Sequence, residues 1–235
     1  TMKIPASPHF TPLNLGGAFN IDWQVLSGTL LPPADKRLIT GERAFRGIPF
    51  ALGNEGQANA ILLDKEEVRI DLAGQSASYI IFLHIVEDRT TNYLDNFADM
   101  IVDGNELGNH VANYQIQYSD GSSESTAILR RFAIQQAHIR WGASAFAAMP
   151  MQEDQVFPTV TEEYILRGTA SMDYGRGETR NSAGRGTVAD HLWLYAMPNP
   201  QPTKPIQQII CTPQQERALI YGITLSNFTE HPLRA

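Results

Sequence analysis

One tryptophan in this chain has a neighbour with which it could bind a ligand. Trp141 directly follows Arg140 in a polar, basic stretch. An indole face can cover the C–H surface of a sugar ring, and a guanidinium supplies paired donors for hydroxyl groups or a carboxylate. We predict Trp141 and Arg140 as ligand contacts; the alternative is that Trp141 is a wedge sealing the end of the core. Trp193 lies in an alternating apolar segment and is predicted to lie in the core or on a sheet surface, as is Trp23.

A single histidine interrupts the otherwise apolar segment Tyr79–Val86. Once buried, both ring nitrogens of His84 need hydrogen-bonding partners. One interpretation is a core histidine that is satisfied by the backbone or by a neighbouring carboxylate. The other is a residue at the end of a strand that presents a ring nitrogen to a ligand hydroxyl, beside Glu87 at the start of a polar loop. We take His84 and Glu87 as candidate ligand contacts.

Acidic side chains are frequent in the loop that follows, residues 87–113. A loop of this length is often functional. Carboxylate oxygens suit Ca²⁺, so the loop could hold a calcium ion, although the spacing does not match a calcium-binding loop. A solvated acidic loop is the alternative, and the sequence identifies no metal ligand. The residues concerned are Asp95, Asp99, Asp103 and Glu106.

The segment Ala170–Asp190 is rich in glycine and arginine and has almost no aliphatic side chain that could tie it to a core. An irregular loop of this length in a compact domain is either functional or disordered. Its arginines would suit an acidic ligand, such as a uronic acid or a sulfated sugar, or an acidic patch on a neighbouring subunit. Tyr174 and Arg176 are the candidate ligand contacts of this segment.

Signatures of common enzyme sites are missing from the sequence. Gly74–Ser78 lacks the final glycine of a serine-hydrolase elbow, and Gly184–Ala189 precedes a predicted strand, unlike a dinucleotide-binding fingerprint. The six histidines show no metal-binding spacing, although ligands could still converge from distant segments. Cys211 lies in an apolar segment and is predicted to be a buried side chain rather than a nucleophile. We assign no catalytic residue.

Composition and charge argue against several classes of partner. A chain of 235 residues with 43% apolar residues can bury a full core, and we treat residues 19–226 as one domain between an N-terminal extension (1–18) and a linker-like tail (227–235). The net charge of −7, without clustered Lys and Arg, argues against nucleic acid as a partner. No apolar run is long enough for a membrane span, and no signal-peptide core follows the first residues. We expect a soluble domain, either mature or excised from a longer protein.

The elements that must position these residues are strands. Apolar and polar residues alternate in Glu67–Leu72, which is typical of a strand with one solvated face. Tyr79–Val86 is apolar on both faces, which indicates a central strand covered by a second layer. Ser119–Ser122 contains Asp-Gly, which readily supplies the positive φ of a hairpin turn. Further strands are predicted over Phe19–Gly28, Tyr114–Tyr118, Ser125–Arg131, Leu192–Met197, Ile206–Cys211 and Arg217–Leu225, and Arg46–Phe50 is predicted as a short extended piece.

These strands predict an all-β fold, a jelly-roll β-sandwich with at least eight strands in two sheets and helix below about 15% of residues. If Tyr79–Val86 and Tyr114–Tyr118 run antiparallel, the loop 87–113 and the segment after Arg131 emerge at the same end of the sandwich. Trp141 belongs to that segment. The predicted core contains Val68, Ile70, Ile80, Phe82, Ile116, Leu194, Ile209 and Ile223.

The order and spacing of these segments resemble a known family. The similarity is to the galactose-binding-like β-sandwich domains that accompany catalytic domains in carbohydrate-active enzymes, and it spans residues 19–226. It is carried by RGIPFALG, ILLDKEEVRIDL, YIIFLHIVED, YQIQYSDGS, HIRWG and LWLYAMPNPQPTKPIQQIICT, followed by ALIYGITLS. The resemblance implies a galactose-binding-domain-like fold, an accessory domain that recognises a carbohydrate, often a structural calcium ion, and a secreted or periplasmic location.

The function expected from the residues and the resemblance is that of a noncatalytic carbohydrate-recognition or accessory domain of a polysaccharide-processing enzyme. Its partners would be a glycan, acidic if the arginines contact it, and a catalytic domain in the same parent protein. One alternative is a structural or oligomerisation domain that packs against a catalytic neighbour. Another is a stand-alone carbohydrate-active enzyme such as a lyase, in which His84, Tyr174 and arginines would converge. Fold analogy alone does not choose among them.

Overall fold

The computed structural model describes residues 8–26, 40–89, 107–139, 144–151, 189–190 and 192–233. Within these ranges the chain forms fourteen β-strands, one short 3-10 helix at Trp23–Leu26 and no α-helix, which confirms the prediction of an all-β fold. In chain order the strands are β1 (Phe10–Pro12), β2 (Glu42–Phe45), β3 (Ile48–Ala51), β4 (Ile61–Leu63), β5 (Val68–Gln75), β6 (Tyr79–Val86), β7 (His110–Tyr118), β8 (Ser123–Leu129), β9 (His138–Ile139), β10 (Ala148–Pro150), β11 (Ala189–Asp190), β12 (Trp193–Pro198), β13 (Ile206–Pro213) and β14 (Ala218–Ser226).

The strands form two main sheets. The six-stranded sheet has the order β1-β14-β6-β12-β10, and β4 also pairs with β14. The four-stranded sheet has the order β5-β13-β7-β8. Two-stranded ribbons, β2-β3 and β9-β11, complete the described pairs. Each pairing between these strands is antiparallel, so the architecture is all-β, antiparallel and sandwich-like.

An apolar core lies between the two main sheets. Phe82 on β6 packs against Tyr114 on β7 with their ring centroids 4.4 Å apart, and neither side chain is exposed. Cys211 on β13 is buried in the same core, where burial raises the pKa of its thiol, so the prediction of a buried cysteine is confirmed. The predicted core residues that are buried are Ile70, Ile80, Phe82, Ile116, Leu194, Ile209 and Ile223, and Val68 is partly buried.

β6 is apolar on both faces because a second core lies on the other side of the six-stranded sheet. Ile81, Leu83 and Ile85 alternate along β6 with the residues that face the first core, and they belong to the second. The β2-β3 hairpin covers this face with Phe45 and Phe50. The prediction of a central strand covered on both sides is therefore confirmed.

Two residues show how closely the second core is packed. Trp193 on β12 is 0% exposed, and its Nε1–H donates to the backbone oxygen of Gln136 at 2.9 Å, as expected for a core tryptophan. Gly222 on β14 lies under the β2-β3 hairpin. A side chain at Gly222 would meet Phe50 and Leu52 at 3.0 Å, so a glycine permits this close approach.

The turn between β7 and β8 is the predicted Asp-Gly hairpin. Gly121 has a φ of 86°, which glycine adopts without strain, and Tyr118 N–H donates to the Ser122 oxygen at 2.9 Å. The Asp120 carboxylate accepts the Ser122 N–H at 2.9 Å and pairs with Lys204 at 2.6 Å. These bonds, above all the one from Lys204, hold the pKa of Asp120 below its ordinary value.

The strand predicted over Phe19–Gly28 is wrong in its described part, because the chain forms a 3-10 helix at Trp23–Leu26. The Asn59 side chain accepts the backbone N–H of Trp23 at 3.0 Å. The Asp22 side chain accepts the backbone N–H of Gln24 at 3.1 Å. Side chains thus satisfy amides that a strand would pair with a neighbouring strand, and a turn forms instead.

Candidate functional site

Several segments meet at the end of the sandwich where β6 finishes. Val86, the last residue of β6, forms a bridge with Gln136. Arg130 Nη2 donates to the backbone oxygen of Glu87 at 2.9 Å. The segment after Arg131 therefore lies beside the start of the loop that follows β6, as predicted, although β6 and β7 belong to different sheets. We call this region the β6 end; its described residues are 86–89, 107–110, 129–137, 144–147 and 214–218.

Two phenylalanines are exposed side by side at the β6 end. Phe132 is 38% exposed and Phe146 is 67% exposed, with ring centroids 5.5 Å apart and planes inclined by 47°. The guanidinium carbon of Arg131 lies 5.5 Å from the centroid of the Phe146 ring. Leu107, which is 57% exposed, precedes Gly108, where an added side chain would touch the Phe132 ring. We call Leu107, Arg131, Phe132 and Phe146 the aromatic end patch.

A strained backbone turn displays Phe132. Arg131 has a φ of 64°, a left-handed conformation that costs a residue with a side chain about 1–3 kcal/mol. Its N–H donates to the Ile134 oxygen at 2.8 Å. The amides of Phe132 and Ala133 both donate to the Leu129 oxygen at 3.1 Å. Strain of this kind persists only where the surrounding structure holds the conformation, so the turn is well constrained.

The residues before β10 are bonded to this turn. Phe146 N–H donates to the Arg131 oxygen at 2.9 Å. Ala147 N–H donates to the Phe132 oxygen at 2.9 Å. Main-chain hydrogen bonds therefore set the spacing between the two phenylalanines.

A buried ion pair also lies at the β6 end. Arg130 is 0% exposed and Glu216 is 3% exposed, and Nε of the arginine donates to Oε2 of the carboxylate at 2.8 Å. The guanidinium also donates to Gln136 Oε1 at 2.8 Å and to the backbone oxygen of Glu87 at 2.9 Å. Arg89 pairs with the second oxygen of Glu216 at 3.2 Å. The cluster ties the end of β8 to the β13-β14 connection and to the residues that follow β6.

His84 is enclosed in the core between the main sheets. It is 0% exposed, with Nδ1 3.0 Å from the Tyr114 hydroxyl and Nε2 3.0 Å from the Ala133 oxygen. Burial lowers the pKa of His84 to about 3, although the bond to Ala133 opposes this shift. The ring is therefore neutral near pH 7. This arrangement is that of the core-histidine interpretation, with a backbone carbonyl as one partner and a hydroxyl as the other.

We expect the stability of this protein to fall in mild acid because of His84. The pKa of His84 is about 3 in the folded state. In the unfolded chain we expect its ordinary value of 6.5. Below pH 6.5 the unfolded state therefore binds a proton that the folded state does not, so stability present above pH 6.5 is lost as the pH falls toward 3. Between pH 6.5 and about 4.5, His84 accounts for a loss of roughly 2–3 kcal/mol in unfolding free energy.

Urea unfolding over this pH range measures the effect. His84→Gln is the control because glutamine does not titrate, and its unfolding free energy should decline less steeply with falling pH. Equal slopes for the wild type and His84→Gln would show that burial does not lower the pKa of His84.

Glu87, a predicted ligand contact, is engaged with Arg217. Its Oε1 accepts the backbone N–H of Arg217 at 3.0 Å, and its Oε2 accepts from Nε at 2.9 Å and from Nη2 at 2.7 Å. The carboxylate therefore links the residues after β6 to the start of β14. A ligand that used Glu87 would have to share it with this arginine.

The other predicted contacts lie outside the described residues: Arg140, Trp141, Tyr174 and Arg176, and the acidic residues Asp95, Asp99, Asp103 and Glu106. The aromatic end patch was not predicted from the sequence. Phe132 follows two arginines at the end of a predicted strand, a weak indication that it is near solvent. Phe146 lies among small residues and carries no such indication.

In the part of the chain that the structure describes, no group of three or more His, Cys, Asp or Glu side chains is arranged to hold a metal ion. The carboxylates that suggested calcium in the sequence lie outside the described residues. No helix within the described ranges is long and apolar enough to cross a membrane.

Comparisons of the chain with protein families, with curated proteins and with solved structures found no match.

Proposed function

We propose that this chain is a noncatalytic carbohydrate-recognition domain with the jelly-roll, galactose-binding-like form of the β-sandwich. In this proposal it accompanies the catalytic domain of a secreted or periplasmic enzyme that processes polysaccharides. The observation that carries the proposal is the aromatic end patch. An acidic glycan suits this surface because Arg131 is part of it.

The composition of the patch suits stacking against sugar rings. Large apolar side chains that lie together on a surface mark binding sites more often than scattered ones do. Aromatic rings offer rigid apolar area at low entropic cost, and they can cover the C–H faces of a sugar. Because the rings of Phe132 and Phe146 are inclined by 47°, they cannot both lie flat on one plane. A bent or twisted glycan chain suits them better than a flat surface.

The patch is also held in place before any ligand binds. The left-handed Arg131 and the hydrogen bonds to Leu129 constrain the backbone at Phe132. Pairing with residues 146–147 constrains it further. A contact that is already ordered loses less conformational entropy on binding, which favours affinity.

The surroundings of His84 favour a noncatalytic function. A general acid or base must reach the proton that it transfers. His84 has no exposed surface, and its nitrogens are bonded to Tyr114 and Ala133. These contacts weigh against the lyase alternative, in which His84 would act on the substrate.

The same patch also favours a second candidate function, that of a structural or oligomerisation domain. Contiguous exposed apolar residues can pack against a neighbouring protein as well as against a glycan. A catalytic neighbour would then cover Phe132 and Phe146. Glycan binding and the association state of the purified chain distinguish the two candidates.

We expect Phe146→Ala to weaken glycan binding by about 1–3 kcal/mol, roughly a 5- to 150-fold rise in Kd, while the melting temperature stays close to that of the wild type. The reason is that Phe146 is 67% exposed, so its ring would contribute more to the ligand than to the core. The measurement is a glycan array that includes uronic-acid and sulfated sugars, with and without calcium, followed by titration calorimetry on the best ligand. Val25→Ala is the matched control, because Val25 is 66% exposed and lies outside the patch.

The predicted contact Trp141 is tested in the same assay. Trp141→Ala should weaken glycan binding more than Trp193→Ala and should lower the melting temperature less, because Trp193 is 0% exposed. Unfolding by Trp141→Ala, with binding retained in the folded fraction, would instead identify Trp141 as the wedge. If the intact chain binds no glycan at millimolar concentration, the structural function replaces the carbohydrate one.

Calcium is part of the proposal and has a separate test. An ion that binds only the folded state raises its stability by mass action, so a chelator should lower the melting temperature without abolishing the fold. An unchanged melting temperature, together with no bound metal in elemental analysis, would exclude it.

A further inference from the structure

We propose that His84 is a positioning residue for the aromatic end patch: with the hydroxyl of Tyr114, its ring fixes the backbone at Ala133 from inside the core and so holds Phe132 in its exposed position. The inference about binding rests on the proposed function, whereas the inference about the backbone does not.

Three separate parts of the fold meet at His84. The histidine is on β6 in the six-stranded sheet, and Tyr114 is on β7 in the four-stranded sheet. Ala133, the third member, directly follows Phe132 in the turn. The distances from the ring nitrogens to the Tyr114 hydroxyl and to the Ala133 oxygen are both 3.0 Å. One buried side chain therefore connects both sheets to the turn that carries the exposed phenylalanine.

The chemistry of these partners determines where the hydrogens lie. A backbone carbonyl only accepts hydrogen bonds, so Nε2 of His84 carries the hydrogen and donates it to the Ala133 oxygen. In the neutral ring Nδ1 is then an acceptor, and the Tyr114 hydroxyl donates to it. The two bonds support each other, because each requires the tautomer that the other stabilises.

Flanking rings restrict the orientation of the imidazole. Tyr195 is stacked on it with centroids 6.2 Å apart and planes inclined by 9°. Phe82 is stacked with a separation of 6.0 Å and an inclination of 27°. Rotation of the His84 ring would disturb this stacking as well as the two hydrogen bonds. The donor at Nε2 is thus aimed at the turn by packing.

A residue that only filled the core would not need this chemistry. An aliphatic side chain at position 84 would fill space without two polar atoms to satisfy, and the other residues of β6 from 80 to 86 are aliphatic or phenylalanine. The bond from His84 reaches an irregular turn rather than a strand. It therefore constrains a segment that the sheet ladders do not include.

Amide hydrogen exchange and glycan titration of the full chain test the proposal. His84→Leu removes both hydrogen bonds, and we expect exchange at the amides of Phe132 and Ala133 to become at least about tenfold faster relative to the amides of β13. We also expect Kd to rise by at least about fivefold, within the range predicted for the loss of an aromatic contact. His84→Gln retains a donor and an acceptor and should recover part of both effects.

Ile80→Val is the matched control, because Ile80 is on the same strand, is 0% exposed and does not contact the turn through a hydrogen bond. It should lower global stability without a selective change in exchange at the turn and without a change in the Kd of the folded protein. If His84→Leu does not fold, Tyr114→Phe, which removes only the hydroxyl, provides the same measurements.

The outcomes separate the two proposals. Unchanged exchange at Phe132 and Ala133, or faster exchange spread evenly over the whole chain, would overturn the positioning function of His84 even if a glycan binds. Absence of glycan binding by the wild type would overturn the proposed function, and selective loss of protection at the turn would still support the positioning of the backbone. Selective loss of protection with an unchanged Kd would overturn the link between His84 and binding.

Discussion

Glu216→Ala is expected to lower the free energy of unfolding by about 3–5 kcal/mol, because it leaves the charge of Arg130 buried without its carboxylate. Arg130 is 0% exposed, and Glu216 accepts its Nε–H at 2.8 Å. The remaining partners of the guanidinium are neutral: the side-chain oxygens of Gln135 and Gln136 and the backbone oxygen of Glu87. They satisfy hydrogen bonds but cannot balance a charge that has been removed from water.

Urea unfolding measures this loss, and two variants control for it. Glu67→Ala removes the carboxylate of an exposed ion pair, in which the Glu67 side chain is 44% exposed and the Arg69 side chain is 54% exposed. This change should cost less than about 1 kcal/mol. The double variant Arg130→Met with Glu216→Leu removes both buried charges and should recover most of the stability lost in Glu216→Ala. The expectation fails if Glu216→Ala costs no more than Glu67→Ala.

Phe82→Ala is expected to destabilise the protein by about 3–5 kcal/mol, the usual range when a buried aromatic side chain is removed. Phe82 is 0% exposed, and its ring centroid lies 4.4 Å from that of Tyr114 across the two sheets. The cavity would open in the first core between β6 and β7, each of which is paired with a strand on both of its edges.

Thermal and urea unfolding of Phe82→Ala give the loss directly. Phe146→Ala removes the same number of atoms from a ring that is 67% exposed and should change the unfolding free energy by no more than about 0.5 kcal/mol. Similar losses for the two variants would mean that Phe82 does not belong to the folding core.

Most strands were predictable because alternation is a local property. In β5, Ile70 and Leu72 are buried while Asp71 between them is exposed, which is the pattern that the residue types indicate. The two-sided burial of β6 was also visible, because both of its faces are apolar. The turn at 119–122 was predictable from Asp-Gly, which is confined to neighbouring residues.

The prediction of a strand failed at Trp23 because a distant residue determines the backbone conformation there. Asn59 accepts the Trp23 N–H across 36 positions in the sequence. The apolar residues around Trp23 favour a strand when only their neighbours are considered. A pattern of residue types does not contain the position of Asn59, so the 3-10 helix could not be inferred from it.

The aromatic end patch was hidden for a similar reason. Phenylalanine is more often buried than exposed, so its residue type alone would place Phe132 and Phe146 in a core. Their exposure follows from the left-handed Arg131 and from the main-chain bonds that join the turn to residues 146–147. The residue types indicate neither feature. Arginine rarely adopts a positive φ, so nothing at position 131 suggests the left-handed turn.

By itself, the sequence determined the all-β class, the approximate ends of the main strands and the hairpin turn, since these depend on residue types within a few positions of one another. Only the tertiary structure decided that β6 pairs with β14 and β12, and that Tyr114 and Ala133 are the partners of His84. It also decided that Phe132 and Phe146 share one surface. The physical reason is that alternation shows which side chains face a core, whereas the strands and turns that complete that core come from distant parts of the chain.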